Sequence, residues 1–394
     1  MDNIEIEEVE LEQIIEACEL DCEPDKLLKA VNITRKLIED QKTNKENKRQ
    51  LSYGVTIEDI EAAVKQRDAI PAIKTGYLEL DERVSFSIGT LSVIFAYSGH
   101  GKTSFMLQLM QKMMIYNNSN KYAYLYILCE QTLVDIREKF VKSWYEHFRG
   151  VNNGMSQQAL DEMVKINFNI YANNKGYLIE KANTKPIVYI EDMESEFINP
   201  FQEQNKDKTI IVFVDYLQQV PTRTKKTGFE KVQYISSMLR DIAERQGKEI
   251  VIITGAQENK EGGLREADDI RQSATNIINL HNPRVSEADT DKGVKPKKLS
   301  EALEKFVKDK NNERYKPSVI VPQYVKTRLT HGVGEAENVF VYNGNGFSEY
   351  KSNGVSYTMI TPALIEEEEK LKQEDIRTNA YGTGNVQTHI KKRY

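Results

Sequence analysis

Four short apolar runs organise the middle of the chain: TLSVIFAY from Thr90, YAYLYILCE from Tyr122, TIIVFVDYL from Thr209 and EIVIITGAQ from Glu249. Each is rich in β-branched and aromatic residues and bounded by polar or glycine-containing turns, which predicts strands. Nearly continuous apolar strands separated by helical stretches predict a mostly parallel sheet with helices on both faces, an α/β fold. One intervening segment, KVQYISSMLRDIAERQG, carries Val232, Ile235, Met238, Leu239 and Ile242 on one side at helical spacing.

The pattern changes on either side of this core. Residues 1–70 read as a small acidic α-helical region, with Leu27, Leu28, Val31 and Ile38 on one helix face, a polar linker QKTNKENKRQ, and a further helix from Ile57 to Arg67. The core domain spans 71–355. A charged surface insertion at 285–316 interrupts it, in which Leu299, Leu303, Phe306 and Val307 fit one amphipathic helix. Residues 356–394 read as a charged helix followed by a flexible terminus.

Composition adds exclusions. The 394 residues carry a net charge of −6, so any contact with nucleic acid must come from local basic loops. Cys18, Cys22 and Cys129 form no CxxC pair, which supports neither a zinc site nor a disulfide framework. No apolar run reaches membrane-spanning length, and the N-terminus, MDNIEIEEVE, is acidic where a signal peptide is basic. The expected compartment is the cytoplasm. Abundant Asn, Lys and Tyr suggest an AT-rich bacterial, viral or mobile-element genome.

The strongest local signal is Ala96-Tyr97-Ser98-Gly99-His100-Gly101-Lys102-Thr103, followed by Ser104. It is a Walker A loop with alanine in first place, between an apolar strand and the helical stretch SFMLQLMQKMMIY. Gly99 and Gly101 let backbone N–H groups close on phosphate oxygens, and the helix N-terminus adds unpaired donors. Lys102 is placed to reach the β- and γ-phosphates of ATP, and the Thr103 hydroxyl to hold Mg²⁺. Asp215, after Ile211, Val212, Phe213 and Val214, suits a second Mg²⁺-supporting position, partly through water. Glu130 at a strand end can polarise an attacking water, or it can be a carboxylate at the start of the next helix. Gln257 closes its strand either as a γ-phosphate sensor or as a polar strand-end residue.

Together these residues match a family. AYSGHGKTSF, the lead-in KTGYLELDERVSFSIGTLSVIFA with its T-G-x-x-x-L-D phrase, LCEQT, VDYLQQV, ISSMLRDIAERQGKEIVIITGAQ, LREADDIRQSATNIINL and VKTR follow one another in the order found in DnaB-type replicative ring helicases, which the chain resembles. The resemblance covers roughly residues 70–350 and implies a RecA-like P-loop NTPase core. It implies that Lys102, Thr103 and Asp215 bind MgATP and that Glu130 activates water. Lys326 and Arg328 then act in trans, Arg328 as the arginine finger. It further implies a ring homo-oligomer, a hexamer, moving 5′ to 3′ on single-stranded DNA in replication, with a primase, loader or other protein as partner. Arg265 and Glu266 fall in the family's pore loop, with Lys260 and Arg271 nearby.

Two departures qualify that expectation. The pore-loop sequence continues Ala-Asp-Asp, and Asp268 and Asp269 bring negative charge where phosphates should pass. The family's helical collar is reduced or replaced, although TIEDIEAAVKQRDAI suits a linker helix. The competing expectation is therefore a DnaB- or RecA-like ATPase that does not unwind and serves regulation or assembly in a larger complex.

Overall fold

Each of the four apolar runs forms a strand: β1 (Leu91–Ala96), β2 (Tyr122–Leu128), β4 (Thr209–Asp215) and β5 (Ile250–Gln257), joined by β3 (Tyr177–Lys181) and β6 (Asn276–His281). The computed structural model describes residues 73–97, 99–151, 155–173, 176–182, 187–245, 248–257, 267–281, 319–330, 333–342, 346–352 and 357–360, with Ile57 and Lys370 besides. The helices read in 1–70, the insertion 285–316 and nearly all of the tail lie outside these residues.

The six strands are mutually parallel in the order β6-β1-β5-β4-β2-β3. Their alternating side chains divide cleanly between two apolar layers, as a sheet covered on both faces requires. Ile94, Tyr126, Phe213 and Ile253 point into one layer, filled by α2 (Lys102–Tyr116), α3 (Leu133–Val151) and α4 (Gln157–Asn173) through residues such as Phe105, Met110, Phe140, Trp144 and Leu160. Val93, Ile127, Val212 and Ile252 point into the other, filled by α5 (Asn199–Gln204) through Phe201 and by α6 (Gly228–Ala243) through Val232, Ile235, Leu239 and Ile242. Four of the five apolar positions expected on α6 are buried, and Met238 packs partly buried beside them.

The sheet does not stop at β6. β7 (Val319–Thr327) runs antiparallel to it, and β9 (Val339–Tyr342), β10 (Phe347–Ser352) and β11 (Tyr357–Met359) continue the sheet by antiparallel pairing, with β8 (Gly334–Glu335) on β7. A further helix, α7 (Ala267–Ser273), precedes β6. Ala267, Asp268 and Asp269, read as loop from the sequence, thus belong to a helix.

The lead-in phrase Thr75-Gly76-Tyr77 with Leu80-Asp81 is a folded unit. The Thr75 N–H donates to Asp81 Oδ1 at 2.6 Å, and Tyr77 stacks on Phe105 of α2. Gly76 has φ 72°, and a Cβ there would lie 2.4 Å from the Tyr116 ring, so only glycine fits. The short helix α1 (Leu78–Arg83) follows, and its first N–H groups are taken by Glu349 of β10, which accepts from Leu78 at 2.8 Å, Glu79 at 2.9 Å and Asn338 Nδ2 at 2.7 Å. Lys112 donates to the Gly76 carbonyl at 3.0 Å and lies over the Tyr77 ring. Burial pushes the Glu349 carboxyl up to about 7, against the pull of its hydrogen bonds and of Lys112.

A carboxyl with a raised folded-state pKa binds its proton more tightly folded than unfolded. Its contribution to stability is therefore full at low pH and falls as pH rises from about 4.5 through about 7. In urea titrations, wild type is expected to lose stability relative to Glu349→Gln between pH 5 and pH 8. The change should be at most about 3 kcal/mol, at about 1.4 kcal/mol per pKa step. A pH-independent difference would show that the carboxyl does not titrate in that window.

Candidate active site

The C-terminal ends of parallel strands collect loops at one edge of the sheet, and here β1, β2, β4 and β5 deliver the candidate residues there. Between β1 and α2 the chain turns through Gly99 (φ 87°) and Gly101 (φ 78°), a left-handed backbone that a Cβ would strain. A Cβ on Gly101 would also sit 3.1 Å from Phe347 Cζ, so the loop rests directly on a ring of β10. Gln108 of α2 locks that ring in place, donating to the Phe347 carbonyl at 2.9 Å and accepting its N–H. His100 is buried, with Nδ1 3.1 Å from the Leu280 carbonyl at the end of β6. A carbonyl only accepts, so that nitrogen carries the proton. Ser98 lies outside the described residues, while Lys102, Thr103 and Ser104 open α2 half-buried.

Lys102 runs along Gly255 of β5, where a Cβ would lie 3.1 Å from its Cδ and 3.2 Å from its Cε. Its ammonium sits 3.6 Å above the centre of the Tyr216 ring. Burial draws Lys102 down to about 8, and the negative charges of Asp215 and Glu130 oppose that shift. The cation is thus flanked by an aromatic face and two carboxylates, which partly offset the cost of its burial.

Asp215 is buried at the end of β4. One carboxylate oxygen, Oδ2, accepts from Tyr126 Oη at 3.1 Å, whereas buried Oδ1 has no hydrogen-bond partner among the described residues. An unsatisfied buried carboxylate oxygen costs free energy unless a donor or cation reaches it. Together with the Thr103 hydroxyl it offers the hard oxygen donors that Mg²⁺ prefers, so these residues fit the cation.

Glu130 is exposed two residues beyond the end of β2, which closes at Leu128 rather than at Glu130 itself. Thr132 and Asp135 cap the start of the helix that follows Glu130. Asp135 N–H donates to Thr132 Oγ1 at 3.2 Å, and Thr132 Oγ1 donates to Asp135 Oδ2 at 2.6 Å. Gln257 is paired in register with Ala96, directly before the P-loop. Its backbone is held by Gln218, whose side chain donates to the Gln257 carbonyl at 3.0 Å and accepts its N–H at 3.1 Å.

A sequence profile described as the DnaB-like helicase C terminal domain matches residues 72–314. The chain belongs to that family. It therefore contains a helicase-type ATPase domain. A comparison with curated protein sequences finds no match. Among solved structures, the chain is similar to one described as the ATPase domain of another protein, at 16% identity and a TM-score of 0.54, covering 75% of this chain and 98% of that one. It is also similar to a DnaB-like replicative helicase whose structure is described with its interactions with primase. That match has 16% identity and a TM-score of 0.53, and it covers 81% of this chain and 75% of that one. At such identity the two structures speak for the RecA-like fold alone.

Lys326 and Arg328, which follow the residues matched by the profile, are not with the other candidates. β7 runs against β6, and Thr327 pairs with Asn276, at the end of the sheet where β1 begins. The Arg328 N–H donates to the Thr275 carbonyl, whose own N–H donates to Leu91. From Leu91 to the P-loop is the full length of β1, about 16 Å at ~3.3 Å per residue. Arg328 Nη2 donates to the Gln272 carbonyl of α7 at 2.8 Å, and Lys326 donates to that of Arg271. Lys326 is drawn down to about 8 by burial and by the positive charges of Arg328, Arg240 and Arg271. Arg265, Glu266 and Lys260 lie outside the described residues; Arg271 is exposed in the last turn of α7.

Tyr126, Gln218 and Gly255 join the site without having been expected there from sequence. Gln218 is legible in the D-Y-L-Q phrase, but nothing local marks Tyr126 or Gly255. Among the described residues no helix is long and apolar enough to cross a membrane.

Gly255→Ala places a methyl against the Met106 sulfur and the Lys102 stem and forces them to move by a few tenths of an ångström. The expected result is a loss of about 3- to 10-fold in kcat/KM for ATP from misplacement alone, with the thermal unfolding midpoint little changed. Unaltered kinetics would mean that Lys102 accommodates the methyl without leaving its working position.

Proposed function

We propose that the chain is the motor subunit of a ring-forming helicase that hydrolyses ATP between subunits and moves on single-stranded DNA during replication, 5′ to 3′. The observation that carries the ATPase half is the meeting of Lys102, Thr103, Asp215 and Glu130 at the ends of β1, β4 and β2 in a DnaB-like domain. Lys102 offsets phosphate charge, and backbone N–H groups of the Gly99–Gly101 turn cradle phosphate oxygens. Glu130, exposed and unoccupied by capping, accepts the proton of the attacking water. Thr103 and Asp215 would hold Mg²⁺, directly or through water, and the cation when bound would supply positive charge against the phosphates. Gln257, fixed beside the loop by Gln218, reports γ-phosphate occupancy to β5.

The ring half rests on the separation of Arg328 from the P-loop of its own chain. A guanidinium at the opposite end of β1 cannot serve its own nucleotide, whereas a neighbour's is within reach if subunits pack head to tail. In that arrangement Lys326 and Arg328 complete the neighbouring site, and closure gives a hexamer. Arg265, Glu266, Lys260 and Arg271 are the DNA contacts proposed for the pore. A primase, a loader or another protein is the partner class proposed for the N-terminal region, insertion or tail. The sequence of Asp268 and Asp269 favours one second reading, an ATPase that does not unwind and acts in a larger complex.

Steady-state ATPase rates with and without single-stranded DNA separate these readings, with Lys102→Ala as the blank and oligomer size measured in parallel. The motor is expected to be stimulated by DNA; robust hydrolysis indifferent to DNA would favour the second reading. Arg328→Ala should lower kcat by roughly 10³-fold, the scale of arginine-finger losses. Mixing inactive Arg328→Ala with inactive Glu130→Gln subunits should restore activity, because one interface then combines an intact base with an intact finger. No recovery in mixed rings would count against action in trans.

A further inference from the structure

Gln131 follows Glu130 directly, and both ends of its side-chain amide are engaged. Lys139, from α3, donates to Gln131 Oε1 at 2.7 Å, while Gln131 Nε2 faces Thr103 Oγ1 at 3.4 Å. An ammonium has no lone pair to offer, so Lys139 decides which end of the amide is oxygen and thereby turns the NH₂ toward Thr103. The start of α3 is anchored by the Thr132–Asp135 cap, which fixes the helix that carries Lys139.

A hydroxyl has one proton and two lone pairs. When Gln131 donates to one lone pair of Thr103, the other is left to face a cation, and rotation about the Cβ–Oγ bond is restricted. Ligand orientation by an outer hydrogen bond is a recurrent control on metal affinity.

We propose that Gln131, oriented by Lys139, is a positioning residue that aims the Thr103 hydroxyl at Mg²⁺ and so couples helix α3 to cation binding. The inference rests on the reading of Thr103 as a cation ligand. Neither Gln131 nor Lys139 is required to touch the nucleotide, which distinguishes their role from that of Lys102 or Glu130.

The test uses the full chain and the binding of a fluorescent ATP analogue, measured with Mg²⁺ and again with EDTA. Gln131→Ala is expected to remove roughly 10-fold of the Mg²⁺-dependent tightening, the low end of losses for outer-shell residues, and to leave EDTA affinity within about twofold. Gln131→Leu keeps much of the bulk but removes both the acceptor for Lys139 and the donor for Thr103, so it should fail as alanine does while preserving the packing. Lys139→Ala should reproduce part of the loss, and the double variant should be no worse than Gln131→Ala.

If Thr103→Ala abolishes the Mg²⁺-dependent tightening but Gln131→Ala and Gln131→Leu leave it intact, the inference is overturned and the reading of Thr103 stands. If Thr103→Ala leaves the tightening intact, the reading of the cation site itself fails. Equal losses with Mg²⁺ and EDTA would reduce Gln131 to general support of the loop, and additive losses in the double variant would remove Lys139 from the chain of action. Either result overturns the proposal.

Discussion

The backbone register of the parallel strands is the constraint on which the site depends. Leu128 pairs with Asp215, and Ala96 pairs with Gln257. With the pairing of Val214 and Thr254 between them, these set the P-loop, Asp215, Glu130 and Gln257 at one edge without any side chain having to find another. A slip of one residue would turn every side chain to the opposite face. Tyr126 would then leave the layer it shares with Phe213, and its hydroxyl would leave Asp215. The two apolar layers oppose such a slip, because each strand contributes alternate residues to each layer. Register is therefore held by burial, and the chemistry inherits its geometry from the core.

How much of this is legible in the sequence follows the range of the interactions involved. β1, β2, β4 and β5 announce themselves because a strand buried on both faces needs an uninterrupted apolar run. The P-loop is legible because its strand, glycines and helix are contiguous. β9, β10 and β11 escape a reading by pattern. They are short, and FSEYKS mixes apolar with charged residues because its glutamate is spent inside the protein, on the start of α1. The α7 helix reads as loop because seven residues carry too little periodicity to be recognised. Tyr126 and Gly255 are invisible for a different reason: each matters only through a residue far along the chain. The cap at Thr132 and Asp135 is a local pattern, legible in Thr-x-x-Asp.

One domain thus presents two unlike ends. At one, a buried carboxylate oxygen lacks a partner beside a buried ammonium; at the other, Lys326 is crowded by like charge from Arg328, Arg240 and Arg271. The first end is suited to a cation and a phosphate, the second to an anion. The proposed head-to-tail ring would bring such unlike ends together, whereas a two-fold interface would place like charge against like.

The hold of Gln108 on Phe347 also sets a schedule for synthesis. The ring that supports Gly101 arrives 239 residues after the side chain that clamps it. At roughly 5–20 residues per second, a ribosome takes roughly 12–50 s to bridge that interval. Throughout it the phosphate loop is already made but has no floor. A nascent chain can assemble its central strands in that time, yet its nucleotide pocket is finished only when β10 has emerged. Truncations ahead of Phe347 therefore leave the loop without the ring on which Gly101 rests.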